Sequence, residues 1–388
     1  MSRITVIGLD GGPLSAEAKA LLEKATLVVG GRRHLGMLGI ESERAAVLKG
    51  DLSEALGRIG ETEGPVAVLA SGDPGFFGIV RLLGERFGIE NLRVLPAVSS
   101  IALAFARAGL PWEDAITVSA HGRDPRPAVN ICRSYPKVAA LTSPEFGPAE
   151  LARGLKGWGR TFFVCEKLGE PDERVFLGEA AEIASMDWRN PNVVLVLDEG
   201  RVVQGKSSCS SGNGSPGRWA FPEEAFEHRS GMITKPETRA LVLARLGPGP
   251  GDLVWDVGAA SGSIAIERDP ESCARIRKNA ARHGAYVRVV EGEAPEALHD
   301  LPEPDAVFIG GSGGGFEEIV KLCALRARRS VVLSLITLER VIPAGKVLEG
   351  CGLQSETVFL QVSRVKGIGT LHRLAAETPV FLVSGRKP

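Results

Sequence analysis

Short apolar runs recur through the first two hundred residues, each closing on glycine or polar side chains. Arg3–Leu9, Thr26–Val29, Val66–Ala70, Leu92–Leu95, Ala115–Ser119 and Asn192–Leu197 are rich in aliphatic residues and read as buried strands. Between them, Ser15–Lys24 has helical composition, Leu52, Leu56 and Ile59 share one helical face, and Ile101–Ala108 is an apolar helix. This alternation predicts a largely parallel α/β sheet. Further on, Thr234 followed three residues later by Glu237 has the pattern of a capping box. Pro236 suits a first turn, so a helix is expected from Lys235 to Leu246. Arg275–Arg282 is helical in composition, while Tyr286–Val290, Ala306–Ile309, Ser330–Leu335 and Val380–Ser384 read as strands. Gln204–Arg218 has no periodicity and reads as a flexible tether. The expected domains are therefore 1–203 and 220–388, joined by a linker at 204–219.

Composition narrows the function more than the fold. The 388 residues carry 46 basic and 47 acidic side chains, which removes the electrostatic footprint of a general nucleic-acid binder. The six cysteines are scattered, without CxxC or metal-ligand spacing, so neither a metal site nor a disulfide framework is expected. No apolar run reaches 18 residues, and the first residues read as a strand rather than a signal segment. The expectation is a cytoplasmic protein with no membrane partner.

The candidate chemistry lies in glycine-rich strand ends. Ala70–Gly78 holds Gly72, Asp73 and Pro74 with Phe76 and Phe77 behind them, and reads equally as a ligand loop or a tight turn with two core rings. His121 after Ala115–Ser119 is a local hydrogen-bonding partner in one reading and a base in the other. Gly310–Gly315 is a further glycine-rich strand end. In Asp252–Asp269 an apolar run delivers Asp256 and the turn Gly258–Gly262, a nucleotide-site pattern. Glu267 follows Gly258 by only nine positions, whereas a parallel crossover takes a dozen or more residues. The first crossover helix and most of the second strand are thus expected to be missing, leaving a gap beside the sheet edge.

Two resemblances give these patterns a common meaning. Ile4–Gly8, Val28–His34, Ala70–Pro74, Pro96–Ser100, Gly109–Trp112 and Cys165–Gly169 resemble the tetrapyrrole methylases, most of all the cobalamin-pathway members that act at C5. The resemblance implies a two-lobed α/β domain holding S-adenosylmethionine (SAM), with contacts from Gly72, Asp73, Pro74, Ser99, Ser100, Thr142 and Leu168. Phe226–Arg229, Met232–Glu237, Trp255–Gly258, Glu291–Pro295, Phe308–Gly314, Thr337–Glu339 and Pro379–Gly385 are similar to the enzymes that methylate C15 and decarboxylate the C12 acetate. Those have a Rossmann-like SAM-dependent fold. Their cofactor positions fall here on Thr234, Gly258, Ala259, Ala260, Ser261, Gly262, Glu267 and Ala294.

The fused pair resembles the precorrin-6B (cobalt-precorrin) C5,15-methyltransferase family, which implies a polycarboxylate tetrapyrrole substrate and homo-oligomers. Cations should orient such a substrate. Arg32, Arg33 and His34 are the candidates in the first half, and His228, Arg229 and Lys235 in the second, each also readable as a solvated surface charge. No catalytic residue is assigned. The alternative is that only the first half is active and the second is a degenerate tetrapyrrole-binding module. Other substrates for the second half, RNA included, and a non-catalytic carrier also stay open, while a nicotinamide oxidoreductase lacks the required spacing.

Overall fold

The computed structural model describes residues 3–48, 52–76, 78–202, 221–228, 233–258, 264–311 and 314–388. The expected linker at 204–219 lies outside them. The chain divides into two compact units, residues 1–128 with 136–205 and residues 129–135 with 206–388.

In the first unit, β1 (Ile4–Leu9), β2 (Leu27–Gly30), β3 (Ala45–Val47), β4 (Val66–Ser71) and β5 (Leu92–Leu95) form an all-parallel sheet ordered β3-β2-β4-β1-β5. Alternate residues face opposite ways, so Val6 and Val68 pack into one core cluster, while Ile7 and Leu69 pack into the other. Burial on both faces is why these strands read as continuous apolar runs. Ser15 caps the helix Ala16–Lys24, its hydroxyl accepting from the N–H of Ala18 at 3.1 Å. The polar stretch after β2 is not a loop but the short helix Arg32–Met37, which turns cationic side chains toward the strand ends.

A second sheet is built from β6 (Ile116–Ser119), β7 (Lys137–Leu141), β8 (Thr161–Glu166), β9 (Arg174–Glu179) and β10 (Asn192–Leu197) in the order β6-β7-β10-β8-β9. Only β6 and β7 run parallel; every other pair is antiparallel. The expectation of a largely parallel sheet therefore holds for the first lobe alone. The loop from β8 to β9 carries no crossover helix, so the strands return beside one another in opposite directions.

The second unit holds a seven-stranded sheet. Its strands are β11 (Val254–Val257), β12 (Ile264–Glu267), β13 (Arg288–Glu291), β14 (Ala306–Ile309), β15 (Ser330–Leu335), β16 (Gln354–Leu360) and, after a separate hairpin of β17 (Ser363–Ile368) and β18 (Leu371–Ala376), β19 (Val380–Arg386). The order is β13-β12-β11-β14-β15-β19-β16, parallel as far as β15, with β19 inserted antiparallel between β15 and β16. Val242 and Leu246 of the helix Pro236–Leu246 pack on Ala306, Phe308, Val332 and Leu382. Among the described residues no helix is long and apolar enough to cross a membrane.

Two expectations are corrected here. The second strand is not mostly missing: β12 is as long as β11 and pairs in register with both neighbours, Trp255 opposite Ile264 and Ile264 opposite Arg288. It fills the place where a gap was expected. Residues 258–263 stand between the two strands, and 259–263 lie outside the described residues. Nor does Thr234 cap the next helix. Lys235 is the N-cap residue and Pro236 the first helical position, and the Glu237 carboxylate is taken by the Arg364 fork at 2.7 and 2.8 Å instead of closing a capping box.

Candidate functional site

A cavity of about 1060 Å³ opens in the first unit. Its wall is built from segments at the carboxyl ends of the strands: Leu9 and Asp10 from β1, Arg32–His34 beyond β2, Ala70–Gly72 from β4, and Leu141, Thr142 and Leu168 from the second lobe. Gly11 (φ +87°) shows why the first loop is glycine-rich. A Cβ there would stand 2.1 Å from the carbonyl oxygen of Gly169, so the two lobes meet backbone to backbone.

The structure brings Gly72, Ser100, Thr142 and Leu168 into this wall. The Gly72 N–H donates to the Leu9 carbonyl at 2.6 Å, tying the ends of β1 and β4 together. Thr142 is buried and its hydroxyl donates to Asn192 Oδ1 at 2.5 Å. Asp73 and Pro74 follow in the turn without lining the cavity, and Asp73 Oδ1 accepts from the Gly75 N–H at 2.8 Å. Ser99 is the cap of the helix Ser100–Ala108, accepting from the Ala102 N–H at 3.1 Å. His121 also lines the wall, with Nδ1 3.4 Å from the Thr142 carbonyl oxygen. Phe76 lines it as well, and Phe77 lies outside the described residues.

The cations Lys19, Arg32, Arg33 and Arg123 outnumber the carboxylates Asp10 and Glu170 around this wall. Arg33 pairs with Glu170 from the β8–β9 loop and places a guanidinium nitrogen 3.1 Å from His34 Nε2. Ser71 Oγ lies 3.2 Å from the same ring nitrogen. A guanidinium can only donate, so His34 Nε2 accepts and the neutral ring carries its proton on Nδ1. Burial, and then the charge of Arg33, push the His34 pKa below its ordinary value, against a smaller upward pull from Glu170.

A smaller cavity of about 270 Å³ lies in the second unit at the ends of β11 and β12. Gly258, Glu267 and Ala294 all line it. Gly258 (φ +76°) leaves no room for a side chain: a Cβ would sit 2.7 Å from the backbone of Gly311, also in the wall. Its N–H donates to Ile266 at 3.0 Å, and Gly310 N–H donates to Val257 at 2.9 Å, so the two glycine turns are pinned across the sheet. Glu267 Oε1 accepts from the Asp269 N–H at 2.8 Å, and Arg268 pairs with Glu293 at 2.9 Å on the rim.

Thr234, Lys235 and His228 are not in this wall. Lys235 pairs with Glu223 at 2.7 Å. Ala259, Ala260, Ser261, Gly262 and Arg229 lie outside the described residues. Sequence reasoning missed Glu170 and Asn192, and gave Glu293 no role although the run Glu291–Pro295 holds it. Glu170 stands one residue beyond the quoted run Cys165–Gly169, and Asn192 opens β10 as though it were only the start of a strand.

Residues 4–184 match the family model for tetrapyrrole (corrin/porphyrin) methylases, and residues 224–387 match that for a precorrin methyltransferase domain. With a glycine-lined cavity at the strand ends of each unit, the chain is a methyltransferase built from two methylase units. It is 39% identical over 360 residues to a precorrin-6Y C(5,15)-methyltransferase (decarboxylating) from Sinorhizobium sp., covering 84% of this chain and 82% of the relative. It is also 32% identical to a cobalt-precorrin-7 C(5)-methyltransferase from Salmonella typhimurium, over 50% of this chain and 99% of that one. A probable cobalt-precorrin-6B C(15)-methyltransferase (decarboxylating) from Pyrobaculum calidifontis is 30% identical over 42% of this chain and 94% of its own. The chain belongs to the precorrin-6Y C(5,15)-methyltransferase (decarboxylating) family.

Proposed function

We propose that this chain methylates a precorrin or cobalt-precorrin at C5 and C15 and removes the carboxyl group of the C12 acetate, with SAM as methyl donor. In this reading 1–203 carries out the C5 step and 220–388 the C15 step and the decarboxylation. The observation that carries it is the presence in one chain of two consecutive family matches, to tetrapyrrole methylases and to a precorrin methyltransferase domain. Relatives named for the C5 and C15 steps as separate proteins support the division of labour. The alternative of an inert second half is not favoured, since relatives named for both steps cover most of the chain. A cytoplasmic homo-oligomer completes the reading, on resemblance alone.

The residues present suit SAM. The Gly258–Gly311 approach leaves backbone amides where a side chain would otherwise stand, and Glu267 supplies a carboxylate in the same wall. Gly72, Ser100, Thr142 and Leu168 would hold the cofactor in the first unit, with Asp73, Pro74 and Ser99 shaping the turns. Gly258, Glu267 and Ala294 would hold it in the second. When bound, SAM supplies an electrophilic methyl that a nucleophilic ring carbon can take. What the chain contributes is alignment and cation-lined walls for the substrate carboxylates, chiefly Arg32 and Arg33.

The test is mass spectrometry of the product formed by the whole chain from SAM and the precorrin. Two added methyl groups with loss of carbon dioxide are expected. Gly258→Val should leave one added methyl and no loss of carbon dioxide. A doubly methylated product from that variant would sink the assignment of the second unit.

A further inference from the structure

The Arg33 guanidinium in the first cavity is already occupied, by a carboxylate of this chain. Glu170 reaches it from the β8–β9 loop, while Ser71 and His34 hold one of its nitrogens from the other side. The backbone under Glu170 is fixed. Gly169 is pressed against the Asp10 carbonyl, the Glu170 N–H donates to Lys167 at 3.0 Å, and Glu173 accepts from Gly169 at 2.8 Å while pairing with Arg107 at 2.5 Å. The Glu170 side chain can therefore leave Arg33 without the loop moving.

We propose that Glu170 is a placeholder: its carboxylate sits where a peripheral carboxylate of the substrate binds Arg33, and the substrate exchanges with it on entry. This rests on the polycarboxylate substrate of the proposed function and adds how that substrate is selected. Arg33 and Glu170 are both partly open to water, with side-chain exposures of 41% and 19%, so replacing one carboxylate by another on the same fork changes little in energy. A lone small anion must compete with a tethered carboxylate of high effective concentration, whereas a ligand held by several carboxylates at once outcompetes it. His34 is a positioning residue here. Neutral and accepting at Nε2, it keeps the fork aimed into the cavity without adding a second cation.

The test uses the SAM-free chain, succinate as probe and the His34 ring as a reporter in NMR. In Glu170→Gln the upward pull on His34 is lost, and its pKa should fall below the wild-type value. Succinate should then restore it in Glu170→Gln, whereas in wild type, where one carboxylate only replaces another on Arg33, His34 should not move. Glu170→Ala should behave alike, and adding Arg33→Ala should abolish the response. If succinate leaves His34 unmoved in Glu170→Gln, or shifts it equally in wild type, the placeholder reading falls. Neither SAM nor tetrapyrrole enters this measurement, so a wild-type chain that fails to methylate would overturn the proposed function separately.

Discussion

His34 shows how one residue's surroundings set its chemistry. It is buried beside a guanidinium, and both facts disfavour the imidazolium, so its pKa lies below 6.5 in the folded chain and at the ordinary value when unfolded. The unfolded chain then binds the proton more readily. His34 therefore contributes its full stability above about pH 6.5, and that stability is lost as pH falls from there through the folded pKa. The melting temperature should therefore fall as pH is lowered from 7 to 5, and His34→Asn should flatten that dependence. Thr142 offers a second case. Thr142→Val strands the buried Asn192 Oδ1 and should cost about 1–3 kcal/mol, read from the urea midpoint, with weaker methyl transfer at the first site. At this scale composition marks the glycine-rich strand ends that hold Gly72 and Gly258, whereas Ser100, Thr142, Glu267 and Ala294 were reached only through the family resemblance. Glu170 and Asn192 were not legible. Their roles depend on partners more than a hundred and about fifty positions away, and neither carries a local pattern.

Elements were read best where burial is two-sided. β1, β2, β4 and β5 of the first sheet stood out as apolar runs, whereas the three-residue β3 and the buried β7 and β8 were passed over, and β9, β16, β17 and β18 alternate or lie exposed and gave no run to find. Thr234 was misread because a capping box is a local pattern and the competing Arg364 lies on β17, far along the chain. That same contact has a measurable role. Among the described residues the β17–β18 hairpin pairs with no other strand, and it exposes Val365 at 67% and Leu371 at 73%; a two-stranded hairpin of this kind is marginal by itself. Arg364 ties it to the helix Pro236–Leu246 through Glu237 and pairs with Glu377 at 2.9 Å just beyond β18. Arg364→Ala should therefore speed tryptic cleavage after Lys366 and Arg373 while circular dichroism stays unchanged. Unaltered cleavage would mean that the fork does not hold the hairpin.

At the scale of the whole molecule, each unit has its own core and its own cavity. Titration calorimetry of the intact chain should accordingly give two SAM sites, and Gly258→Val should leave one. A chain with a single site before any substitution would restore the reading in which the second unit only binds tetrapyrrole.

The strand orders carry a consequence for how the chain is made. In the second sheet β8 and β9 join β6 and β7 only through β10, and in the third β16 joins β15 only through β19. Each of these sheets is thus completed by the last of its own strands to leave the ribosome. At about 5–20 residues per second, β16 waits about 1–5 s for Val380–Arg386, with β15 and β16 offering unpaired edges meanwhile. Released chains that end before Val380 should bind holdase chaperones through this sheet, whereas released chains that include Val380–Arg386 should not.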